Sequence, residues 1–166
     1  CCHDAVIREV SDTFASQGVK KTYMAVLDGL PTQDEWTIDR PLGLLTDQPV
    51  RVLMGPGHLP ACTTFRVLQR GESRSLVEVK PSTGRQHQIR VHAQMSGLPL
   101  VGDKLYGHAP ELFIASKERD LTVHELNRLG HHRHALHAHS IELDIGGQTM
   151  RFHSPLPEEL SDLLDR

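Results

Sequence analysis

The segment CTTFRVLQRGESRSLVEVKP, residues 62–81, constrains the fold more than any other stretch. It reads as two β-rich runs joined at Gly71-Glu72. In the second run Leu76, Glu78 and Lys80 alternate with Val77 and Val79, the period of two that a strand requires. A second hairpin has the same form: HAHSIELDI and QTMRFHS flank Gly146-Gly147. KKTYMAVLDGLP supplies a further strand, in which Thr22, Tyr23, Met24 and Val26 favour β structure and Asp28-Gly29 ends the run. Residues 30–60 are rich in Pro and Gly, with a short strand at Trp36–Asp39, and RVLMGPGHLP has the chemistry of a loop. Helices flank this framework. Val6, Val10 and Phe14 recur every fourth residue across 5–17, with Ile7 beside them and Gly18 as a stop. Residues 110–129 mix Leu with charges and read as helix. SPLPEELSDLL reads as a short terminal helix starting at Ser154 or Pro155, with Glu158 and Glu159 in its first turn. The expectation is one α+β domain, residues 1–166, built on a mixed, largely antiparallel β sheet.

One segment fits neither period. STGRQHQIRVH, residues 82–92, holds two arginines, two histidines and two glutamines but only two aliphatic side chains, Ile89 and Val91. It predicts a helix over about 85–96, with Thr83 as N-cap, Gly84 in the turn before it and Gly97 at C′. On such a helix Arg85, Ile89, His92 and Ser96 share one face, and Gln86 and Arg90 another. Arginines near a helix N-terminus suit anions, because free N–H groups there favour negative charge and guanidinium forks pair with carboxylate or phosphate. The donors therefore hold a catalytic carboxylate, a nucleic-acid backbone or both; the competing reading is a polar helix with structural salt bridges.

Charge sharpens this. The net charge is −3, yet residues 66–104 carry seven Lys/Arg against three Asp/Glu, while the flanking thirds are net acidic. A local basic patch attracts phosphates whatever the total is. No apolar run approaches the ~18 residues of a membrane span, and no leader pattern is visible at the start. Cys1, Cys2 and Cys62 form no disulfide or CxxC framework, which points to free thiols and a reducing cytoplasm.

The longer stretch VEVKPSTGRQHQIRVHAQMSGLPLVGDKLYG, residues 77–107, resembles the signature of the RluA-type pseudouridine synthases. That signature is a strand, then Thr-Gly-Arg-x-His-Gln-Ile-Arg-Val-His, then Gly-x-Pro-Ile/Leu-x-Gly-Asp-x-x-Tyr-Gly. It is filled by Thr83, Gly84, Arg85, His87, Gln88, Ile89, Arg90, Val91 and His92, and then by Gly97, Pro99, Leu100, Gly102, Asp103, Tyr106 and Gly107. KKTYMAVLDG resembles the family's Lys-x-Tyr-x-Ala strand, and HALHAHSIEL with MRFHSPLPEEL its C-terminal portion, so the likeness spans about residues 5–165. The resemblance implies a mixed sheet with an RNA-binding cleft across it. It implies isomerisation of uridine to pseudouridine in structured rRNA or tRNA, by breaking the glycosidic bond, turning the base and rejoining it through carbon. No metal and no organic cofactor take part, and a monomer is expected. By resemblance, Tyr23 stacks on the flipped base and Arg90 pairs with a catalytic aspartate. Lys21, Arg85, His87 and Gln88 are expected to contact RNA.

The departure is the aspartate. The family carries it in His-Arg-Leu-Asp-x-x-Thr-Ser-Gly, upstream of the tyrosine, and no such string occurs in these residues. Asp4 follows a histidine but lacks the rest of the motif. The expectation is that the chain starts downstream of that motif, is inactive alone, and leaves Arg90 without its mate. Asp103 is a poor substitute, because the Gly-Asp turn already uses it. Two alternatives stand. One is a non-catalytic RNA-binding module of the same fold. The other is a metalloprotein using HHRHALHAH, residues 131–139, in which His137 and His139 would share a strand face. The close pairs there include His131 with His134 and His132 with His134. No zinc finger or zincin spacing accompanies them.

Overall fold

The computed structural model describes residues 2–16 and 18–165, apart from the side chains of residues 2, 3 and 15; Cys1 and the Cys2 side chain therefore lie outside the described set. Eight strands form: β1 (Lys20–Asp28), β2 (Glu35–Asp39), β3 (Leu42–Leu44), β4 (Met54–Pro56), β5 (Cys62–Arg70), β6 (Arg74–Pro81), β7 (Leu136–Ile145) and β8 (Gln148–His153). Five α-helices accompany them: α1 (Cys2–Ala15), α2 (Gln88–Met95), α3 (Pro110–Glu118), α4 (Val123–Leu129) and α5 (Glu158–Ser161), the last continuing as a 3₁₀ turn over Asp162–Asp165. Six strands make one sheet in the order β2-β5-β6-β1-β7-β8, and each of its pairings is antiparallel. The α+β class with a largely antiparallel sheet is what the structure shows.

The central strand is β1. It pairs with β6 on one side and β7 on the other, and both of its faces are covered, so its run Ala25-Val26-Leu27 is buried without alternation. Ala25 and Leu27 pack with Phe65, Val77 and Val79 under Ile89 and Ala93 of α2. Val26 and Leu76 pack on the opposite face against Leu160, Leu163 and Leu164 of the C-terminal turn. Helix α1 sits beside the β7–β8 hairpin, where Glu9 accepts a hydrogen bond from the Gly146 N–H at 2.6 Å.

Four local expectations need correction. RVLMGPGHLP is not all loop, because β4 lies within it and pairs with β3. Gly57 makes this possible: a Cβ there would stand 2.4 Å from the Gly43 backbone. The 110–129 helix is two helices, since Arg119 is extended and Thr122 restarts the chain with a capping box to Glu125. The terminal helix is capped by Pro157 rather than starting at Ser154 or Pro155. Helix α2 begins at Gln88 rather than 85, with His87 at its N-cap; Gly97 does follow it with φ 75°.

Candidate active site

Thr83 does not cap α2 because its hydroxyl is committed inward. It donates to Gln88 Oε1 at 2.6 Å, and the same oxygen accepts the Arg85 N–H at 3.0 Å. The Gln88 amide donates to the Cys62 carbonyl and to Thr63 Oγ1, at 2.9 and 3.0 Å. Next in line is His92, buried at 0 % exposure. Its Nε2 lies 3.0 Å from the Arg40 carbonyl, which can only accept, so that nitrogen carries the proton. Nδ1 then accepts from Thr63 Oγ1 at 2.8 Å. This closed relay ties the start of α2 to β5, and burial holds the His92 pKa below the usual imidazole value.

The relay forces residues 83–87 into a loop over the sheet. Beneath it opens a cleft of about 450 Å³ lined by Lys21, Tyr23, Arg85, His87, Gln88 and Arg90, among others. All six residues singled out in the sequence thus meet in one place, and Tyr23 and Arg90 share a cleft across 67 positions of sequence. Lys21 and Tyr23 are two apart on β1 and lie on one face of it. The β1–β7 register slips there: Thr22 faces Ser140 but Tyr23 faces Ala138, leaving His139 as the bulged residue beside the site.

Two placements differ from expectation. Gln88 is 3 % exposed, and its two donors and its oxygen are all spent within the fold, so it braces the loop and offers a ligand nothing. Arg85 precedes α2 instead of starting it, and its Nε donates to the Pro60 carbonyl at 3.1 Å.

Arg90 is not left without a mate. Its Nε and Nη2 donate to the two oxygens of Asp103 at 2.7 and 2.6 Å. Asp103 is fully buried, and its Oδ1 also accepts from the Leu105 and Tyr106 N–H groups. The guanidinium lies 4.9 Å from the Tyr106 ring centroid. Thus the Gly-Asp turn uses Asp103 and still pairs with Arg90, because a carboxylate accepts several hydrogen bonds at once. Nη1 has no hydrogen bond among the described residues, and Arg90 lines the cleft. Among the described residues lining the cleft there is no carboxylate. Asp4 is exposed in the first turn of α1.

The arrangement can grip a polyanion through Lys21 and Arg85, offer an aromatic face at Tyr23, and orient a carboxylate through Arg90. The sequence model of the RNA pseudouridylate synthase family covers residues 3–95. The chain belongs to that family. An uncharacterized RNA pseudouridine synthase of Zymomonas mobilis is 34% identical over 160 residues, covering 94% of this chain and 65% of that protein. Ribosomal large subunit pseudouridine synthase D of Pseudomonas aeruginosa is 37% identical over 152 residues, 90% of this chain and 46% of that one. The solved structure of human RNA pseudouridylate synthase domain containing 1 superposes with a TM-score of 0.77 at 25% identity, over 97% of this chain and 65% of that one. The chain therefore spans between about half and two thirds of the length of these relatives.

Within this cleft, His134 is the residue that sequence reading left out. It lines the wall beside Leu136, and burial with the nearby Arg90 charge lowers its pKa. The signal was present as one member of HHRHALHAH, but a run of histidines reads first as metal ligands. The structure disperses that run. His137 Nε2 donates to the Ser154 carbonyl, and His139 meets His153 with ring nitrogens 3.2 Å apart. His131, His132 and Glu159 bring ligand atoms within 4.8 Å of one another, but Glu159 is ion-paired with Arg133. Cys62 is a free thiol, and no described helix is long and apolar enough to cross a membrane.

Proposed function

We propose that this chain forms the base-binding half of an RNA pseudouridine synthase active site. The observation that carries the proposal is the single cleft holding Lys21, Tyr23, Arg85, His87 and Arg90 in a member of this family. Tyr23 stacks on a uridine taken out of its helix, an exchange worth a few kcal/mol in unstacking and about 1–3 kcal/mol in regained stacking. Lys21 and Arg85 neutralise flanking phosphates. Arg90, clamped by Asp103, turns its remaining Nη1 toward the carboxylate that does the chemistry; a cation there keeps that carboxylate ionised and fixes its orientation. Ribosomal RNA is the favoured class, since a relative above is named for the large ribosomal subunit, and tRNA is the alternative. The unpaired Cys62 thiol supports a reducing, cytoplasmic setting.

A second reading, a non-catalytic RNA-binding module, is favoured by one observation: no carboxylate lines the cleft among the described residues. Both readings expect binding of structured RNA that weakens with salt, because phosphate contacts release counterions. Turnover separates them. The first expects uridine conversion once a His-Arg-Leu-Asp-x-x-Thr-Ser-Gly segment is fused ahead of residue 1, and loss of that conversion when its Asp is Asn. RNA binding without conversion in the fusion supports the module. Absence of salt-dependent RNA binding refutes both.

A further inference from the structure

His87 is the one non-glycine residue with a positive φ among the described residues, 55°. That conformation is disfavoured for a residue with a side chain and persists only where the surroundings hold it. The imidazole makes no cap bond to α2. It turns instead to Tyr106, whose hydroxyl lies 2.9 Å from Nδ1 and also accepts the Met54 N–H at 3.0 Å. Tyr106 is 5 % exposed, and its hydroxyl has one proton to place. Were Nδ1 the donor, the phenolic proton would lack an acceptor among the described residues, and an unmade buried hydrogen bond is costly. With the phenol donating to Nδ1, each group is satisfied and the imidazole proton sits on Nε2. Burial, aided by the Arg90 charge, holds the ring neutral. His87 thus brings to the cleft a neutral side chain that donates at one fixed atom and cannot accept there.

We propose that His87 is a specificity-determining residue, donating its Nε2–H to the C4 carbonyl of the pyrimidine in the cleft and so selecting uracil over cytosine. Cytosine carries an amino donor at that position, and two donors facing each other in a half-buried site reject one another. The inference rests on the RNA reading above and adds which atom reads the base.

Two measurements test it on the whole 166-residue chain. Nitrogen-15 NMR of the histidine side chains should show His87 neutral with its proton on Nε2 near neutral pH, and Tyr106→Phe should shift the ring toward the Nδ1–H tautomer. Short RNAs differing only in one unpaired U or C should bind wild type with a preference for U of about tenfold, the ratio one net hydrogen bond supplies. His87→Gly, which accommodates the left-handed backbone and so keeps the fold, should bring that ratio near one. Tyr106→Phe should lower it as well. An Nδ1–H or protonated ring in wild type, or an undiminished ratio in His87→Gly, overturns the inference and leaves the RNA reading standing. Failure of wild type to bind either RNA overturns both.

Discussion

Asp103→Asn tests whether the site rests on a buried clamp. The substitution keeps the shape and one oxygen, so the Leu105 N–H, the Tyr106 N–H and Arg90 Nη2 keep an acceptor. The other oxygen becomes an NH₂ group facing Arg90 Nε, now donor against donor across 2.7 Å. The guanidinium loses its counter-charge while its side chain is only 15% exposed. Removing one partner of a buried ion pair costs about 3–5 kcal/mol; residual exposure of Arg90 argues for the lower figure. About 3 kcal/mol is a large share of the roughly 5–15 kcal/mol that holds a domain folded. For a chain of this size each kcal/mol moves the melting temperature by about 2–4 °C. Thermal unfolding followed by circular dichroism should therefore fall by roughly 6–12 °C. The comparison is Asp34→Asn. Its ion pair with Arg70 is 2.8 Å long, but the Asp34 side chain is 87% exposed, so no resolvable shift is expected. A shift for Asp103→Asn no larger than that for Asp34→Asn refutes the clamp.

Further outcomes follow from the same geometry. Tyr23→Ala should weaken RNA binding by about 1–3 kcal/mol while Tyr23→Phe changes little, read by fluorescence anisotropy. Arg85→Ala should reduce the slope of log affinity against log salt by about one, and an unchanged slope removes Arg85 from the phosphate footprint. Stability should fall on acidification. Buried His92 has its pKa held below the usual value, so as pH drops through about 6.5 the unfolded chain takes up protons that the folded chain refuses. His92→Gln should lower the urea midpoint at neutral pH and flatten its decline toward about pH 5; an equally steep decline would assign the acid sensitivity to other groups. Residues 1–166 alone should not convert uridine to pseudouridine, as assayed on cellular RNA. In a fusion that does, Arg90→Ala should impair conversion; turnover by the unfused chain would show that the acid is misplaced.

The antiparallel frame was legible in the sequence because its signals are local. Alternation in residues 74–81, the Gly146-Gly147 turn and Gly97 after α2 each state a backbone preference within a few residues. The cleft residues were legible for another reason: a long motif places Lys21, Tyr23, Arg85, His87 and Arg90 in order, and the sheet gathers them. What the motif could not distinguish was which of its donors face outward. Gln88 and His92 look as available as His87 and Arg90 in STGRQHQIRVH, yet the first two are sealed against β5 and the last two line or border the cleft. The helix start moved to Gln88 for the same reason, since Thr83 found a buried amide more rewarding than a helix end. Arg90's hold on Asp103, the bulge at His139 and the recruitment of His134 likewise came only with the fold. Each depends on desolvation and on partners brought close by packing rather than by sequence. Residue type limits what a side chain can donate or accept; only burial decides which of those bonds must be made inside the protein and which remain for a ligand.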